Sequence, residues 1–439
     1  MSLIIGSLKK CLKKAFPVLI IFKTGLYAWQ SELNYRKYKS KVKQIRRSHS
    51  ISGLPIRVAF LVVFSSVFPA RKLFELMLND SNFDPKIIVV PSVDLQKSKM
   101  LNLLDDSFIE LSKLYPTRVV LGYDVTNNKF LELGDEYQIV VLANPYSHLV
   151  HKFHDLRYFL KRNVLTIYAQ YGFPCFRFSL SLISSFFYSN VWTVCLENPT
   201  IQELVRKYAL LHGKNALLTG YIKMDSFVCE ESICRHIATT ERKRVIIAMH
   251  HTVYSNEFLK IGNFLELSDF FLELPKKFPN VDFILRPHPL LFINIVRHQL
   301  WTQSQVDAYV HKLQDVGIQL DSSADYFDIF ASSDAMIHDC GSFIAEYLYT
   351  GKPCCFIAKQ RQDLIAKLLP FGQECISNYY LASTQDEIEQ FILNVVINGN
   401  DDMKQQRTYF VKNKLMYNYP NASKKLLSYI KRELLNDDK

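Results

Sequence analysis

"DAMIHDCGSFIAEYLYTGKPCCFI", residues 334–357, holds a complete folding unit. An apolar run over 335–338 ends at Asp339, and three small residues, Cys340, Gly341 and Ser342, follow. A helical stretch, "FIAEYLYT", then runs to Gly351, and a second apolar run, "KPCCFI", closes the segment. Ser342 stands at the N-cap position of that helix and Gly351 at its left-handed stop. Two strands joined by a helical crossover must run parallel. Both runs are continuously apolar rather than alternating, as strands buried on both faces require.

The same rhythm extends outward in both directions. Upstream, "IRVAFLVVF" (56–64), "KIIVVP" (86–91), "RVVLGY" (118–123), "YQIVVLANP" (137–145), "VLTIYAQYG" (164–172), "WTVCLE" (192–197) and "ALLTG" (216–220) read as strands. Helical stretches such as "ARKLFELMLND" (70–80) and "PTIQELVRKYAL" (199–210) separate them. A polar stretch, "CEESICRHIATTERKR" (229–244), interrupts the pattern. It restarts with "RVIIAMHH" (244–251), "VDFILRPHP" (281–289), "GIQLD" (317–321) and the two strands of the opening segment. This is α/β architecture in two series, predicting two Rossmann-like domains facing across a cleft. The boundaries expected are a basic arm over 1–50, an N-terminal domain over 51–235, a C-terminal domain over 236–420 and a terminal helix over 421–439.

Charge is distributed unevenly. Residues 1–50 hold twelve Lys and Arg against one acid, Glu32, a balance of +11 that equals the net charge of the whole chain. The rest is neutral, so the basic face typical of duplex-binding proteins is missing and no nucleic-acid partner is expected. The arm also carries "AFPVLIIF" (15–22) and "GLYAW" (25–29). These runs are far shorter than the ~20 apolar residues of a membrane span. Apolar anchors among lysines suit a segment lying on an anionic membrane surface, and equally an amphipathic helix packed on the body. Nine cysteines without a pairing or zinc pattern read as reduced thiols of a cytoplasmic protein.

Ligands of open parallel sheets bind beyond the C-terminal ends of the strands. There "ILRPHP" presents Arg286 and His288, each followed by a proline that favours extended backbone. An Arg fork suits phosphate, and a His can carry a proton near neutral pH. In "DCGS", Gly341 permits close backbone approach, and Ser342 opens a helix whose free N–H groups attract an anion. "MHHTVYSNE" (249–257) offers His250 and His251, expected on opposite sides of a continuing strand. "GYIKMD" (220–225) places Lys223 and Asp225 near the junction of the two series. His148, His151 and His154 lie three apart, but no carboxylate accompanies them.

Together, "GYIKMD", "HHTV", "RPHP" and "DCGSFIAEYLYTGKP" resemble, in order and spacing, the CDP-glycerol glycerophosphotransferases, a family that includes teichoic-acid polymerases and capsule enzymes. The resemblance spans roughly 55–435 and is strongest over 215–360. It implies a GT-B fold, a CDP-glycerol or related CDP-alditol donor, and transfer of alditol phosphate to a hydroxyl of a cell-surface polymer or lipid-linked acceptor with release of CMP. It implies attachment to the inner membrane face as well. Carried onto this chain, Arg286 and His288 match the basic motif at the donor phosphates. Asp339 and Ser342 match an Asp-x-x-Ser turn cradling the diphosphate, and Glu346 would accept hydrogen bonds from ribose or glycerol. Lys223 and Asp225 complete the expected donor-binding set.

One position departs from the teichoic-acid enzymes, which carry His-Gly after an N-terminal-domain strand. Here it is Tyr171-Gly172, and a phenol is a poor base at neutral pH. The general base is then His288 or His251, with Tyr171 shaping the acceptor pocket. A divalent cation is compatible with this chemistry, but no acidic cluster marks a site for one. The alternatives are a nucleotide-sugar glycosyltransferase or epimerase-like enzyme of the same fold, and a non-catalytic membrane-bound partner in capsule assembly.

Overall fold

The computed structural model describes the backbone of residues 2–134, 136–227, 242–253, 261–323 and 325–435, with side chains from residue 25 onward. Most of the polar stretch between the two series, the expected boundary near 235, and residues 254–257 of the double-histidine segment lie outside these residues. So do the side chains of the apolar run over 15–22. The chain divides into two compact units, the first of residues 1–171, 180–223 and 421–439, the second of residues 172–179 and 224–420.

The first unit is built on seven parallel strands: β1 (Ile56–Val62), β2 (Phe83–Val89), β3 (Val119–Leu121), β6 (Ile139–Leu142), β7 (Leu165–Tyr168), β8 (Thr193–Leu196) and β9 (Ala216–Leu218). Their order is β3-β2-β1-β6-β7-β8-β9, which reverses direction of growth between β1 and β6. A short hairpin, β4 (Tyr123–Asp124) with β5 (Lys129–Phe130), stands apart. Every residue of β6, β7 and β8 is buried, which is why these segments contain no alternating polar positions.

A helix spans Ser2–Ser52. Its described part explains the polar residues hidden among its lysines. Ser31, Asn34, Tyr38, Val42 and Ile45 form a buried stripe at helical spacing. Asn34 Nδ2 donates to Asn190 Oδ1 at 2.7 Å, Asn190 Nδ2 to Ser31 Oγ at 2.7 Å, and the Tyr38 hydroxyl to the Asn190 carbonyl at 2.8 Å. Lys41 reaches the Val164 carbonyl at 3.2 Å, and burial pulls its ammonium down to about 8. Of the two roles open to the arm, packing on the body therefore holds for its second half. The helix Ala422–Leu435 buries Leu426, Ile430 and Leu434 in the same core and receives Arg46 on the Glu433 carbonyl. Among the described residues no helix is long and apolar enough to cross a membrane.

The second unit repeats the plan with β10 (Lys243–Met249), β11 (Val281–Pro287), β12 (Gln319–Leu320), β13 (Ala335–His338), β14 (Cys354–Ile357) and β15 (Tyr380–Ala382). The strands are parallel in the order β12-β11-β10-β13-β14-β15, with the reversal between β10 and β13. The opening segment is the β13–helix–β14 crossover. Its helix is shorter than expected: one α-helical turn, Phe343–Glu346, tightens into a 3₁₀ turn, Tyr347–Thr350, and stops at Gly351 with φ +71°. Residues 172–179 belong here because Cys175 and Arg177 exchange backbone hydrogen bonds with Leu369 and Lys367, each at 2.8 Å. The six described cysteines are buried and unbridged.

Candidate functional site

The sheet of the second unit places the double-histidine, Arg-Pro-His and Asp-Cys-Gly-Ser segments on three adjacent strands. Ala248 of β10 pairs with Arg286 of β11 on one side and His338 of β13 on the other. His250, His288 and Asp339 all follow within two residues of that row. They emerge at the carboxyl ends of the strands flanking the reversal in strand order, where open α/β sheets bind ligands.

Three imidazoles gather there. Ring centroids of His250 and His251 are 4.3 Å apart, those of His251 and His288 4.3 Å, and those of His250 and His288 5.7 Å. The expected divergence of His250 from His251 does not occur, because β10 ends at Met249 and the alternation of a strand ends with it. Thr252 N–H donates to His250 Nδ1 at 3.3 Å and Leu290 N–H to His288 Nδ1 at 3.1 Å. Asn294 Nδ2 lies 3.2 Å from His251 Nδ1 and donates to the His251 carbonyl at 3.2 Å. Burial holds all three rings below the usual imidazole range, His288 at about 3.

Asp339 supports this cluster from beneath. It is fully buried and accepts from the His250 and Asn263 backbone N–H groups, each at 2.6 Å, and from Asn263 Nδ2 at 3.1 Å. Burial raises its carboxyl to about 7 against the lowering effect of these bonds. Its oxygens are thus spent inside the chain, tying the β10 loop to the start of the helix Phe264–Lys277, and the role at the diphosphate is corrected to a positioning one. Asn263 and Asn294 carried no sequence signal, since each works through a partner distant in the chain.

Other expected contacts are also redirected inward. Glu346 is fully buried and accepts from the Tyr326 hydroxyl, so it presents nothing to a ribose. Arg286 ion-pairs with Asp321, donates to the Ser323 hydroxyl at 3.3 Å and carbonyl at 2.9 Å, and lies over the Tyr326 ring at 5.1 Å. A guanidinium this enclosed needs a counter-charge, and the fork expected on phosphate is occupied by the chain's own carboxylate. A Cβ on Gly341 would meet the Phe176 ring at 3.0 Å, so the missing side chain makes room for that ring. Ser342 sits at the helix start in αR conformation, half-buried, and its hydroxyl makes no capping bond.

In the first unit, Lys223 Nζ donates to the Tyr171 carbonyl at 3.0 Å, bringing two expected residues together. The Tyr171 hydroxyl hydrogen-bonds with Tyr146, and burial pushes its phenol above the usual range. Asp225, beyond the division between the units, is buried. Glu197, at the end of β8, is a residue the sequence reading missed: it is 1% exposed and neither oxygen has a hydrogen-bond partner among the described residues. His154 is buried and bonds the Leu131 carbonyl, while His151 stacks on Phe130. Among the described residues no group of three or more His, Cys, Asp or Glu is placed to hold a metal ion.

Comparison with known proteins adds the chemistry that a fold lacks. The structure of the wall teichoic acid polymerase TagF matches with a TM-score of 0.57 at 14% identity, covering 94% of this chain and 99% of that one. A variant of that polymerase soaked with CDPG matches at 0.56 and 15% identity, covering 94% and 99%. The UDP-GlcNAc 2-epimerase from Neisseria meningitidis bound to UDP-GlcNAc matches at 0.54 and 13% identity, covering 87% and 100%. At these identities the likeness establishes the α/β fold they share. No curated protein matches the sequence. The family model of CDP-glycerol:poly(glycerophosphate) glycerophosphotransferase matches residues 192–432, more than half of the chain. With β10 through β15 and their strand-end residues inside that match, the chain belongs to this family and is a glycerophosphotransferase enzyme.

Proposed function

We propose that the second unit holds CDP-glycerol at the carboxyl ends of β10, β11 and β13. From there glycerol phosphate passes to a hydroxyl of a cell-surface polymer or lipid-linked acceptor. The observation that carries this reading is the convergence of His250, His251, His288 and Ser342 at the switch in strand order, within the family match. The acceptor oxygen bonds to the β-phosphorus, the bond from that phosphorus to the bridging oxygen breaks, and CMP leaves. The hydroxyl proton passes to the phosphate oxygens of the departing CMP. A loose phosphoryl transition state needs mainly positioning and charge stabilisation. The half-buried Ser342 hydroxyl, which makes no capping bond, is available to a phosphate oxygen, whereas Arg286 is neutralised by Asp321 and orders the strand end.

The arm supports a peripheral position on the inner membrane face. Leu26 and Trp29 are more than half exposed, and Arg36, Lys37, Lys39, Lys43 and Arg47 are exposed on the same helix. Such a segment adheres to anionic lipid by combined apolar burial and charge.

Calorimetric titration with CDP-glycerol, CDP-ribitol, UDP-N-acetylglucosamine and CMP tests the donor. The expected result is selective binding of a CDP-alditol, weakened about ten- to a hundredfold in Ser342→Ala, the value of one hydrogen bond to a charged phosphate. Ser342→Ala is preferable to Arg286→Ala, which strands the Asp321 carboxylate. Binding of the UDP-sugar alone would overturn the assignment.

A further inference from the structure

Residues 172–179 are a borrowed piece of chain. The backbone leaves the first unit after Tyr171, packs this segment in the second, and returns to the first at Leu180. One side of the segment is clamped. Leu369 N–H donates to the Cys175 carbonyl, Arg177 N–H to the Lys367 carbonyl and Arg177 Nε to the Ala366 carbonyl, each at 2.8 Å. Phe173 stacks on Phe371 with ring centroids 4.9 Å apart. The helix Pro370–Ile376 comes so close that a Cβ on Gly372 would overlap the Cys175 carbonyl oxygen, so the segment has no room to retreat that way. Phe176, 3% exposed, makes its contact with the Asp-Cys-Gly-Ser turn. The three heavy atoms nearest to a Cβ built on Gly341 all belong to this ring: Cε2 at 3.0 Å, Cδ2 at 3.6 Å and Cζ at 3.9 Å. Gly341 does not have a positive φ, so its backbone does not demand glycine and the ring accounts for it. The residues on either side are anchored elsewhere. Cys340 N–H donates to His338 Nδ1 at 3.2 Å, and the Phe343 and Ile344 carbonyls accept from the Tyr379 hydroxyl at 3.1 and 2.9 Å.

We propose that Phe176 is a positioning residue for the transfer reaction: its ring, held by the clamped segment 172–179, sets the Gly341–Ser342 turn where the Ser342 hydroxyl reaches the donor phosphate. The proposal rests on the glycerophosphotransfer reading for the ligand of Ser342 and on packing for the rest. It makes a segment that follows Tyr171 in the chain a part of the donor site. Close-packed interiors transmit such contacts, because a ring that is removed leaves a cavity into which its neighbours relax only in part. Ser342 is one residue from the contact, and a hydrogen bond weakens steeply once its distance or angle departs from the optimum. A small shift of the turn is therefore enough to lose the bond.

The test measures CDP-glycerol binding by calorimetry in the full chain, for Phe176→Leu, Ser342→Ala and the two together. If Phe176 acts through Ser342, its loss matters only while the hydroxyl is present. The expected result is binding about five- to thirtyfold weaker in Phe176→Leu, but a further loss below about twofold when Phe176→Leu is added to Ser342→Ala. Equal losses in the two backgrounds would overturn the proposal, as would Phe176→Leu that binds like wild type. Gly341→Ala gives a second reading, since its methyl presses on the ring. It should weaken binding in the native background and cost less than about twofold once Phe176→Leu has removed the ring; a loss that adds in full counts against the proposal. Hydrogen exchange at the Cys340 amide, bonded to His338, reads the turn without a ligand. Phe176→Leu should speed it several-fold while peptides from β1 and β6 keep their rates, and unchanged exchange would show that the ring does not set the turn. Wild type that fails to bind CDP-glycerol, with the turn loosened in Phe176→Leu, would remove the glycerophosphotransfer reading and leave Phe176 as the residue that sets the turn.

Discussion

Asp339→Asn keeps the shape of a buried side chain while reversing half of its hydrogen bonding. In the native chain one carboxylate oxygen accepts from His250 N–H and the other from Asn263 N–H, both at 2.6 Å. An amide can serve one of these donors and must turn its own NH₂ toward the other, leaving one backbone N–H buried and unpaired. The cost is about 1–3 kcal/mol. Asp339→Ala strands both backbone donors, about 2–6 kcal/mol, whereas Asn263 Nδ2 keeps the Ile261 carbonyl at 2.7 Å. The damage is local, since it separates the β10 loop from the start of the helix Phe264–Lys277. Hydrogen exchange reads it directly, because local opening and exchange share one free energy. In Asp339→Asn, peptides holding His250 or Asn263 should exchange about 5- to 150-fold faster. Peptides from β1 and β6 in the first unit serve as the internal standard. Unchanged exchange at His250 and Asn263 in both variants would show that Asp339 does not position the loop.

Glu197 predicts a pH signature. Burial without a partner raises its carboxyl from 4.5 to about 8. Between those values the folded chain holds a proton that the unfolded chain has lost, so this group's stability contribution falls as pH rises through the window, by about 1.4 kcal/mol per unit. Glu197→Gln should therefore match wild type near pH 4.5 and surpass it increasingly toward pH 8 in thermal melts; parallel curves would refute the shift. At the other end of the chain, Leu26→Ala with Trp29→Ala should reduce co-sedimentation with anionic vesicles several-fold and leave the melting temperature unchanged. Equal recovery on neutral and anionic vesicles would remove the membrane role.

Local chemistry was enough to write much of this protein down. Continuous Val/Ile runs, turn glycines and the Ser342–Gly351 segment define β/α alternation through interactions within a few residues, and twelve strands follow from them. The short β15 and the β4–β5 hairpin escaped, because they are two or three residues long and also lie outside the Val/Ile runs. The strand-end motifs were equally legible as motifs, since their order along the chain is itself the signal. Where their side chains point was decided only by packing. Arg286 meets Asp321, Glu346 meets Tyr326 and Asp339 meets Asn263 across separations of 20 to 76 residues. Gly341 owes its missing side chain to Phe176. His250 and His251 share one side because β10 stops before them. A buried charge or donor must find its partner wherever the fold brings one, and sequence spacing holds no record of that encounter.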